Sequence, residues 1–332
     1  MPTSVSVLIC TRNRVSHLRD TLRSIDQLSI PSHLDPELII VDNGSTDATS
    51  ALLADPPVEC LPVRSVVEPR AGAARARNTA LSKAEGKILL WLDDDIRVPS
   101  GWLYSMTRPI SEGDADAVAG RVTIAPHLER SWMRPFHRTA LASTEAIDEE
   151  DPKNIISANM AFARYVLEDV PGFDPELGPG RLGTLEDTLF SWQLREAGYQ
   201  LTMSSKGEVE HHFDEKRLER KAFRRAATAR GQSLSYIRYH WLHDSQEDWT
   251  HRTNSYQVWR TPSVVLAKRQ IDSAIERWRH WMKTRAAPID RREFWATMNV
   301  WSLRQFLIEK KRPRNYAEKG LEKLRGARRE SK

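Results

Sequence analysis

A chain of 332 residues with 40% hydrophobic and 29% charged residues suits one large water-soluble domain, or a domain with an extension. Its two cysteines, Cys10 and Cys60, exclude a disulfide framework and a cysteine-based metal site, and no stretch approaches the ~20 apolar residues of a membrane span. The net charge of +5 conceals an asymmetry: residues 213–332 carry 29 Lys+Arg against 14 Asp+Glu, whereas residues 1–212 carry 21 against 31. A boundary near residue 212 is expected, with one domain at 1–212 and a basic, Trp-rich helical extension at 213–332.

In chain order, Ser4 to Cys10 alternates and then runs apolar, which predicts a first strand. Thr11-Arg-Asn-Arg14 forms a polar turn at its carboxyl end. Ser16 is a plausible N-cap for a helix to about Leu28, with Leu18, Leu22 and Ile25 on one face. Glu37 to Val41 predicts a second strand, closed by Asp42 and the turn Asn43-Gly-Ser-Thr-Asp47. Val63–Val67 reads as a short third strand. Ala73 to Ala84 is strongly helix-forming and carries Arg75, Arg77 and Asn78.

The stretch Lys87 to Ile96 is the most informative. Ile88 to Leu92 reads as a strand buried on both faces, and it ends in Asp93, Asp94 and Asp95. Three adjacent carboxylates repel one another. A divalent cation bridging to a phosphate-bearing ligand would compensate them, at the carboxyl end of a strand where α/β sheets bind ligands. A solvated acidic turn is the plain alternative.

Ser100 is expected to cap a helix to about Ile110, and Ala115–Val122 a further strand. Residues 123–153 show no regular pattern. Ile155 to Phe162 predicts a strand, Thr188–Ala197 a helix opened by Glu186-Asp187, and Gln200–Ser204 a last strand leading to His211 and His212. Strands alternating with helices predict an α/β fold: a doubly wound, mostly parallel sheet with helices on both faces.

The chemistry follows from residue type. Asp42 at a strand end can close a turn or accept from a base or ribose. Glu186-Asp187 can complement a helix dipole or serve as a general base at a crevice. His211 can be a core histidine or complete a site begun by carboxylates, and mixed imidazole and carboxylate ligation suits Mn²⁺ better than Mg²⁺.

Taken in order, Val7-Leu-Ile-Cys-Thr-Arg-Asn-Arg14, Ile40-Val-Asp-Asn-Gly-Ser-Thr-Asp47, Gly72 through Ala76-Arg-Asn78, Trp91-Leu-Asp-Asp-Asp95, Ala158-Asn-Met-Ala-Phe162 and Leu185-Glu-Asp187 resemble the family-2 glycosyltransferases, inverting enzymes of GT-A fold. The resemblance covers residues 4–212 and implies a GT-A catalytic domain with a nucleotide-sugar half of about 1–122 and an acceptor half of about 123–212. It implies transfer of a sugar from a nucleoside-diphosphate sugar, by default a UDP-sugar, to a glycan, lipid-linked or other hydroxyl acceptor in bacterial surface glycan synthesis. Residue by residue, it implies donor contacts at Thr11, Arg12, Arg14, Asp42, Arg77, Asn78, Asp93 and Asp94. It implies a divalent metal, Mn²⁺ or Mg²⁺, at Asp93, Asp95 and His211, with His212 the lesser substitute. Asp187 falls on the catalytic base, and Glu186 and Asn159 on acceptor contacts. The glycine pair expected before the acidic pair is replaced by Gly183-Thr184, in a loop with Gly178 and Gly180.

Two other classes share some of these features. A sugar nucleotidyltransferase would need a Gly- and Lys-bearing phosphate loop after the first strand, which Thr11–Arg14 lacks. A non-catalytic nucleotide-sugar binder would not need every motif acid. The extension, with Trp241, Trp249, Trp259, Trp278, Trp281, Trp295 and Trp301, suits either helices packed on the catalytic domain or a dimer partner, or an interfacial helix on an anionic membrane. In the second reading Trp295, Trp301 and Lys310-Lys-Arg-Pro-Arg314 would face the headgroups. Charge alone does not make a nucleic-acid site, and none is expected. A cytoplasmic protein, at most touching the inner face of a membrane, is expected.

Overall fold

The computed structural model describes residues 2–243, 262–283, 288–314 and 319–324. The chain divides into two compact units, one of Met1–Arg181, Glu186–Asp214 and Leu324–Lys332, the other of Leu182–Leu185 and Glu215–Lys323.

The first unit is built on an eight-stranded sheet. Its strands are β1 (Thr3–Thr11), β2 (Leu34–Asp42), β3 (Val63–Val67), β4 (Ile88–Asp93), β5 (Ile96–Arg97), β6 (Ala117–Ile124), β7 (Asn159–Ala163) and β8 (Leu201–His211), in the order β3-β2-β1-β4-β7-β6-β8-β5. β2–β3, β1–β2, β1–β4 and β6–β8 pair in parallel. β7 is antiparallel to both neighbours, and β5 to β8. The chain winds outward through β1, β2 and β3, then restarts beside β1 with β4. In open α/β sheets such a reversal is the place where ligands bind, here at the carboxyl ends of β1 and β4.

Alternate residues of the central strands feed two cores. Val7, Ile9, Leu90 and Leu92 pack with Leu18 and Leu22 of helix α1 (Val15–Ile25) and Trp102, Leu103 and Met106 of α4 (Trp102–Ser111). Leu8, Leu89 and Trp91 point to the other face. There they meet Ala76 and Ala80 of α3 (Ala73–Lys83) and Phe190 and Leu194 of α6 (Glu186–Ala197). Both faces of β1 and β4 are therefore covered, which explains their near-continuous apolar runs. Short helices α2 (Thr49–Ala54) and α5 (Pro135–Ala140) complete the unit, α5 lying in the stretch where the sequence suggested no element.

Several boundaries differ from the sequence expectation. Ser16 does not cap α1: the helix starts at Val15, whose N–H is taken by Asp47 Oδ2 at 3.2 Å. Ser100 does not cap α4 either, because Gly101 holds that position. β7 is shorter than Ile155–Phe162, since the N–H groups of Ile155 and Ser157 go to the side chains of Ser191 and Asp187 on α6. β8 is longer than Gln200–Ser204 and runs on to His211, opposite Ile124.

The long β6–β8 pairing carries a register irregularity between Gly120 and Val122. Asn159 repairs it. Its amide donates to the carbonyls of Arg121 at 3.0 Å and Gly207 at 2.7 Å, and accepts from Trp102 Nε1 at 2.9 Å. A Cβ on Gly120 would stand 2.1 Å from that amide nitrogen.

The second unit contains α7 (Arg220–His240), α8 (Pro262–Lys283) and α9 (Arg291–Glu309). Gly231 lets α7 and α9 cross closely, since a Cβ there would meet the Met298 carbonyl oxygen at 2.2 Å. Two carboxylates are buried within this unit, each with a cationic partner: Glu293 with Arg220, and Glu309 with Arg312. Glu309 also meets His240 Nε2 at 3.0 Å and accepts from Gln305 at 2.5 Å. Phe294, Met298, Leu303 and Phe306 of α9 are buried, while Trp295 and Ile308 are exposed. Trp241 is buried, Trp278 exposed and Trp301 half-buried. Trp249, Trp259 and the side chain of Trp281 lie outside the described residues. Among the described residues no helix is long and apolar enough to cross a membrane.

The Asn159 patch is testable. Gly120→Ala forces a methyl against an amide that three hydrogen bonds hold in place, and should destabilise the fold by about 1–3 kcal/mol in urea unfolding. Gly101→Ala, with nothing within 4 Å of the added Cβ, should leave the midpoint unchanged or raise it.

Candidate functional site

Strand register sets the frame of the site. Thr11 pairs with Asp42 across β1–β2, and Cys10 with Asp93 across β1–β4. Asp42, Thr11 and Asp93 thus line three adjacent strand ends. At the usual strand spacing the outer two are about 10 Å apart, the reach of a base and its ribose.

The loops over these ends are tied together. Asp42 is buried, and its Oδ1 accepts from the N–H of Ser45 at 2.9 Å. Asn13, at φ 54°, donates its N–H to Ser45 Oγ and accepts from the Thr46 N–H at 2.6 Å. Asn43, which the sequence showed only as a turn residue, staples the next loop: its amide donates to the carbonyls of Glu68 and Arg70 and accepts from the Gly72 N–H. Glu68 gave no sequence signal. It is buried beneath Arg70, which it meets through both carboxylate oxygens at 2.9 Å, and it accepts from Thr79 at 2.7 Å. These donors, Arg70 first, hold its carboxyl down at about 2. Arg12 is exposed at the rim of this loop pair.

Arg77 lies deeper. Its guanidinium is 7% exposed, donates to Glu186 at 2.5 Å and to Ser157 Oγ at 2.8 Å, and stands 3.7 Å from Asp93. The Phe173 ring lies 5.7 Å from it. Burial opposes its charge, but Glu186 and Asp93 outweigh that and hold its pKa above the usual arginine value. Asn78 grips the backbone of Phe173 in both directions, at 2.7 and 3.0 Å. Arg77 and Asn78 were expected to close on a nucleotide; here both are engaged inside the protein.

Two residues expected as acceptor contacts, Glu186 and Asn159, have partners within the protein. Glu186 is buried, its carboxylate turned to Arg77 under Gly178, where an added Cβ would meet it at 3.0 Å. Asn159 is 0% exposed, and its amide is committed to the β6–β8 repair. Asp187 differs from its neighbour. Half-buried at the start of α6, it accepts from the Thr188 N–H at 2.7 Å and from Ser157, N–H at 3.3 Å and Oγ at 3.5 Å. Ser157 therefore links Arg77 to Asp187, a role with no signal in the sequence.

The three aspartates at the end of β4 have separate partners. Asp93 faces Arg77 and is about one-third exposed; burial of its surroundings pushes its carboxyl up, with Arg77 pulling it back. Asp94 is buried, accepts from Thr11 Oγ1 at 2.7 Å and lies 3.2 Å from Arg14 Nη1; burial pushes its carboxyl up to about 7. Asp95 contacts Arg14 Nη2, and its other oxygen lies 3.3 Å from His211 Nε2. His211 is buried, with Nδ1 3.0 Å from the Leu141 carbonyl. His212 turns to Glu210 instead, at 3.0 Å. Cys10, lifted to about 12 by burial, carries no thiolate.

Among the described residues no three His, Cys, Asp or Glu side chains are gathered so as to hold a metal ion by themselves. Asp95 and His211 could supply two ligands of such an ion, their Oδ1 and Nε2 atoms facing each other at 3.3 Å. A carbonyl only accepts, so Nδ1 carries a proton toward Leu141, and this turns Nε2 to the Asp95 carboxylate. A shared proton or a shared cation can bridge the two atoms. The backbone contact that fixes the other ring nitrogen is typical of metal-ligating histidine.

Comparison with known proteins adds an independent observation. The model of the family described as glycosyl transferase family 2 matches residues 6–170. Glycosyltransferase AglE of Haloferax volcanii is 27% identical over 202 residues, 60% of this chain and 64% of AglE. Succinoglycan biosynthesis protein ExoM of Rhizobium meliloti is 31% identical over 143 residues, 41% of this chain and 45% of ExoM. The matches therefore span less than two-thirds of these relatives' own length. Among solved structures, mannosyltransferase PcManGT from Pyrobaculum calidifontis, in complex with GDP-Man and Mn²⁺, superposes with a TM-score of 0.59 over 94% of this chain and 88% of its own. At 19% identity that likeness speaks to the fold alone.

Arg77 gives the site two measurable consequences. Arg77→Met strands Glu186 as a buried, unpaired charge and should cost about 3–5 kcal/mol in urea unfolding. Adding Glu186→Gln should recover a large part of that loss, so that the two changes are strongly non-additive. Glu68 supplies a pH signature. A carboxyl depressed from an ordinary 4.5 to about 2 stabilises the fold fully above 4.5, and this is lost as pH falls toward 2. The stability gap between wild type and Glu68→Gln should therefore be largest at neutral pH and close between pH 4.5 and about 2.

Proposed function

The chain belongs to glycosyl transferase family 2, and from that premise we propose that it moves a sugar from a nucleoside-diphosphate sugar to an acceptor hydroxyl, inverting the anomeric centre. The observation that carries this reading is the pairing of two carboxylate groups of opposite disposition. Asp187 is held by Ser157 yet only half-buried, suited to take a proton. The Asp93–Asp95 run lies at the carboxyl end of β4, suited to a diphosphate with its counter-charge.

In this mechanism the base of the donor lies against Asp42 and Arg12, with Thr11 beneath it and its ribose toward Asp93. The diphosphate lies over Asp94, Asp95 and Arg14. Asp187 accepts the acceptor's proton as its oxygen attacks the anomeric carbon from the face opposite the leaving diphosphate. Arg77 and Glu186 keep the start of α6 in place and touch neither substrate. A divalent cation, Mn²⁺ or Mg²⁺, would be held by Asp95 and His211, with Asp93 within reach through the nucleotide; when bound, it offsets charge on the departing diphosphate.

The acceptor class is a glycan, lipid-linked or other hydroxyl of a bacterial or archaeal glycan pathway, in keeping with the relatives found. Contact of Trp295 and the Lys310–Arg314 segment with an anionic membrane surface would hold the enzyme at the leaflet where lipid-linked acceptors sit. PcManGT's GDP-Man supports a nucleotide sugar as donor class, and UDP- and GDP-sugars are the first to try.

Asp187→Asn should reduce transfer by about 10³-fold or more, as loss of an essential general base does, while UDP or GDP still raises the melting temperature as in wild type. Transfer at the wild-type rate by the variant would reject Asp187 as base. Release of pyrophosphate from a nucleoside triphosphate and a sugar phosphate would reject glycosyl transfer in favour of nucleotidyl transfer.

A further inference from the structure

Arg14 has an unusual position for a residue expected to bind a donor. It stands in the turn between β1 and α1, and its guanidinium spans two carboxylates, Nη1 at 3.2 Å from Asp94 and Nη2 in contact with Asp95. The side chain is one-third exposed, whereas those of Asp94 and Asp95 are 5% and 1% exposed. Burial opposes its charge, and the carboxylates overcome that and raise its pKa above the usual value.

The same Asp95 faces His211 from its other oxygen, and the Leu141 carbonyl turns the histidine's Nε2 toward it. A divalent cation shared by Asp95 and His211 would therefore sit a few ångströms from a guanidinium on the same carboxylate. In a site this buried, charges of like sign at that separation repel strongly. One of the two must leave. Arg14 can, because its side chain reaches solvent and Asp94 keeps Thr11 as a second partner.

Resting on the proposed function, we propose that Arg14 is a displaceable counter-ion: a divalent cation must drive it off Asp95, and the freed guanidinium then binds the donor's diphosphate. Arg14 competes with the metal when metal is alone, and serves the nucleotide once metal is in place. Metal and nucleotide are thereby coupled through one side chain, and the coupling is reciprocal.

The test follows free Mn²⁺ by electron paramagnetic resonance, with no turnover involved. Arg14→Gln keeps a polar side chain but removes the charge. Without nucleotide, it should bind Mn²⁺ at least 10-fold more tightly than wild type. With Mn²⁺ saturating, its affinity for UDP or GDP, assayed in parallel by calorimetry, should fall at least 10-fold. Mn²⁺ affinity that is unchanged or weaker in Arg14→Gln overturns the proposal. Should that variant not fold, Arg14→Lys carries the test. Its shorter reach loosens the hold on Asp95, so several-fold tighter Mn²⁺ binding is expected and an unchanged affinity overturns it. Asp95→Asn separates this inference from the broader reading. If that change leaves Mn²⁺ binding intact, the metal site proposed for the enzyme is wrong; if it abolishes binding while Arg14→Gln has no effect, only the role of Arg14 fails.

Discussion

The buried guanidinium of Arg77 is the interaction on which the site depends. A cation at 7% exposure is tolerable only if every direction offers it a partner. Here α3 supplies the cation, β4 brings Asp93, α6 brings Glu186, and the segment before β7 brings Ser157. Four separate parts of the chain are therefore positioned by one charge. The constraint propagates to Asp187, because the serine that receives Arg77's second hydrogen bond also holds that carboxylate. It also limits what can lie beside the pair. Gly178, at φ 85°, leaves room for the Glu186 carboxylate where any side chain would intrude.

The acidic run at the end of β4 shows how the fold tolerates three adjacent carboxylates. Successive side chains leave a strand end in different directions, so each reaches its own compensation: Asp93 goes to Arg77, Asp94 to Thr11 and Arg14, and Asp95 to Arg14 and His211. The partners come from β1, the turn after it, α3 and the far end of β8. They converge because β1 and β4 are neighbours at the point where the winding of the sheet reverses. The GT-A arrangement of strands thus gathers these charges at the carboxyl ends of β1 and β4, where open α/β sheets take their ligands.

The second unit follows a different logic. Its long helices also bury carboxylates, but each meets a partner within the same small bundle: Glu293 with Arg220, and Glu309 with His240, Gln305 and Arg312. That use of charge explains why a strongly basic stretch can still fold inward. Part of its positive charge is spent on internal carboxylates, and part, as at Lys310 and Lys311, is left on the surface.

Strand identity, the parallel sheet and the family were legible in the sequence, because they rest on local patterns. Apolar runs mark strands buried on both faces, helices separate them, and the acids fall at strand ends whatever the tertiary details. Asp42, Asp93 and Asp95 could be singled out on such grounds, Asp187 as one of two acids opening a helix, and His211 as a histidine beyond the last strand. What Asn159, Glu186, Arg77 and Asn78 actually touch could not, since a polar residue in a motif reads the same whether it faces a crevice or a neighbouring element. Asn159 was decided by a register irregularity between β6 and β8, and Glu186 by a guanidinium 109 positions earlier in the chain. Ser157, Asn43 and Glu68 carry no local signature, because their work is to satisfy groups that distant segments bring to them. Sequence determines which elements form and where charge accumulates. Only the assembled sheet decides which charge meets which, because a buried ion is placed by the partners that fully surround it, and those come from far along the chain.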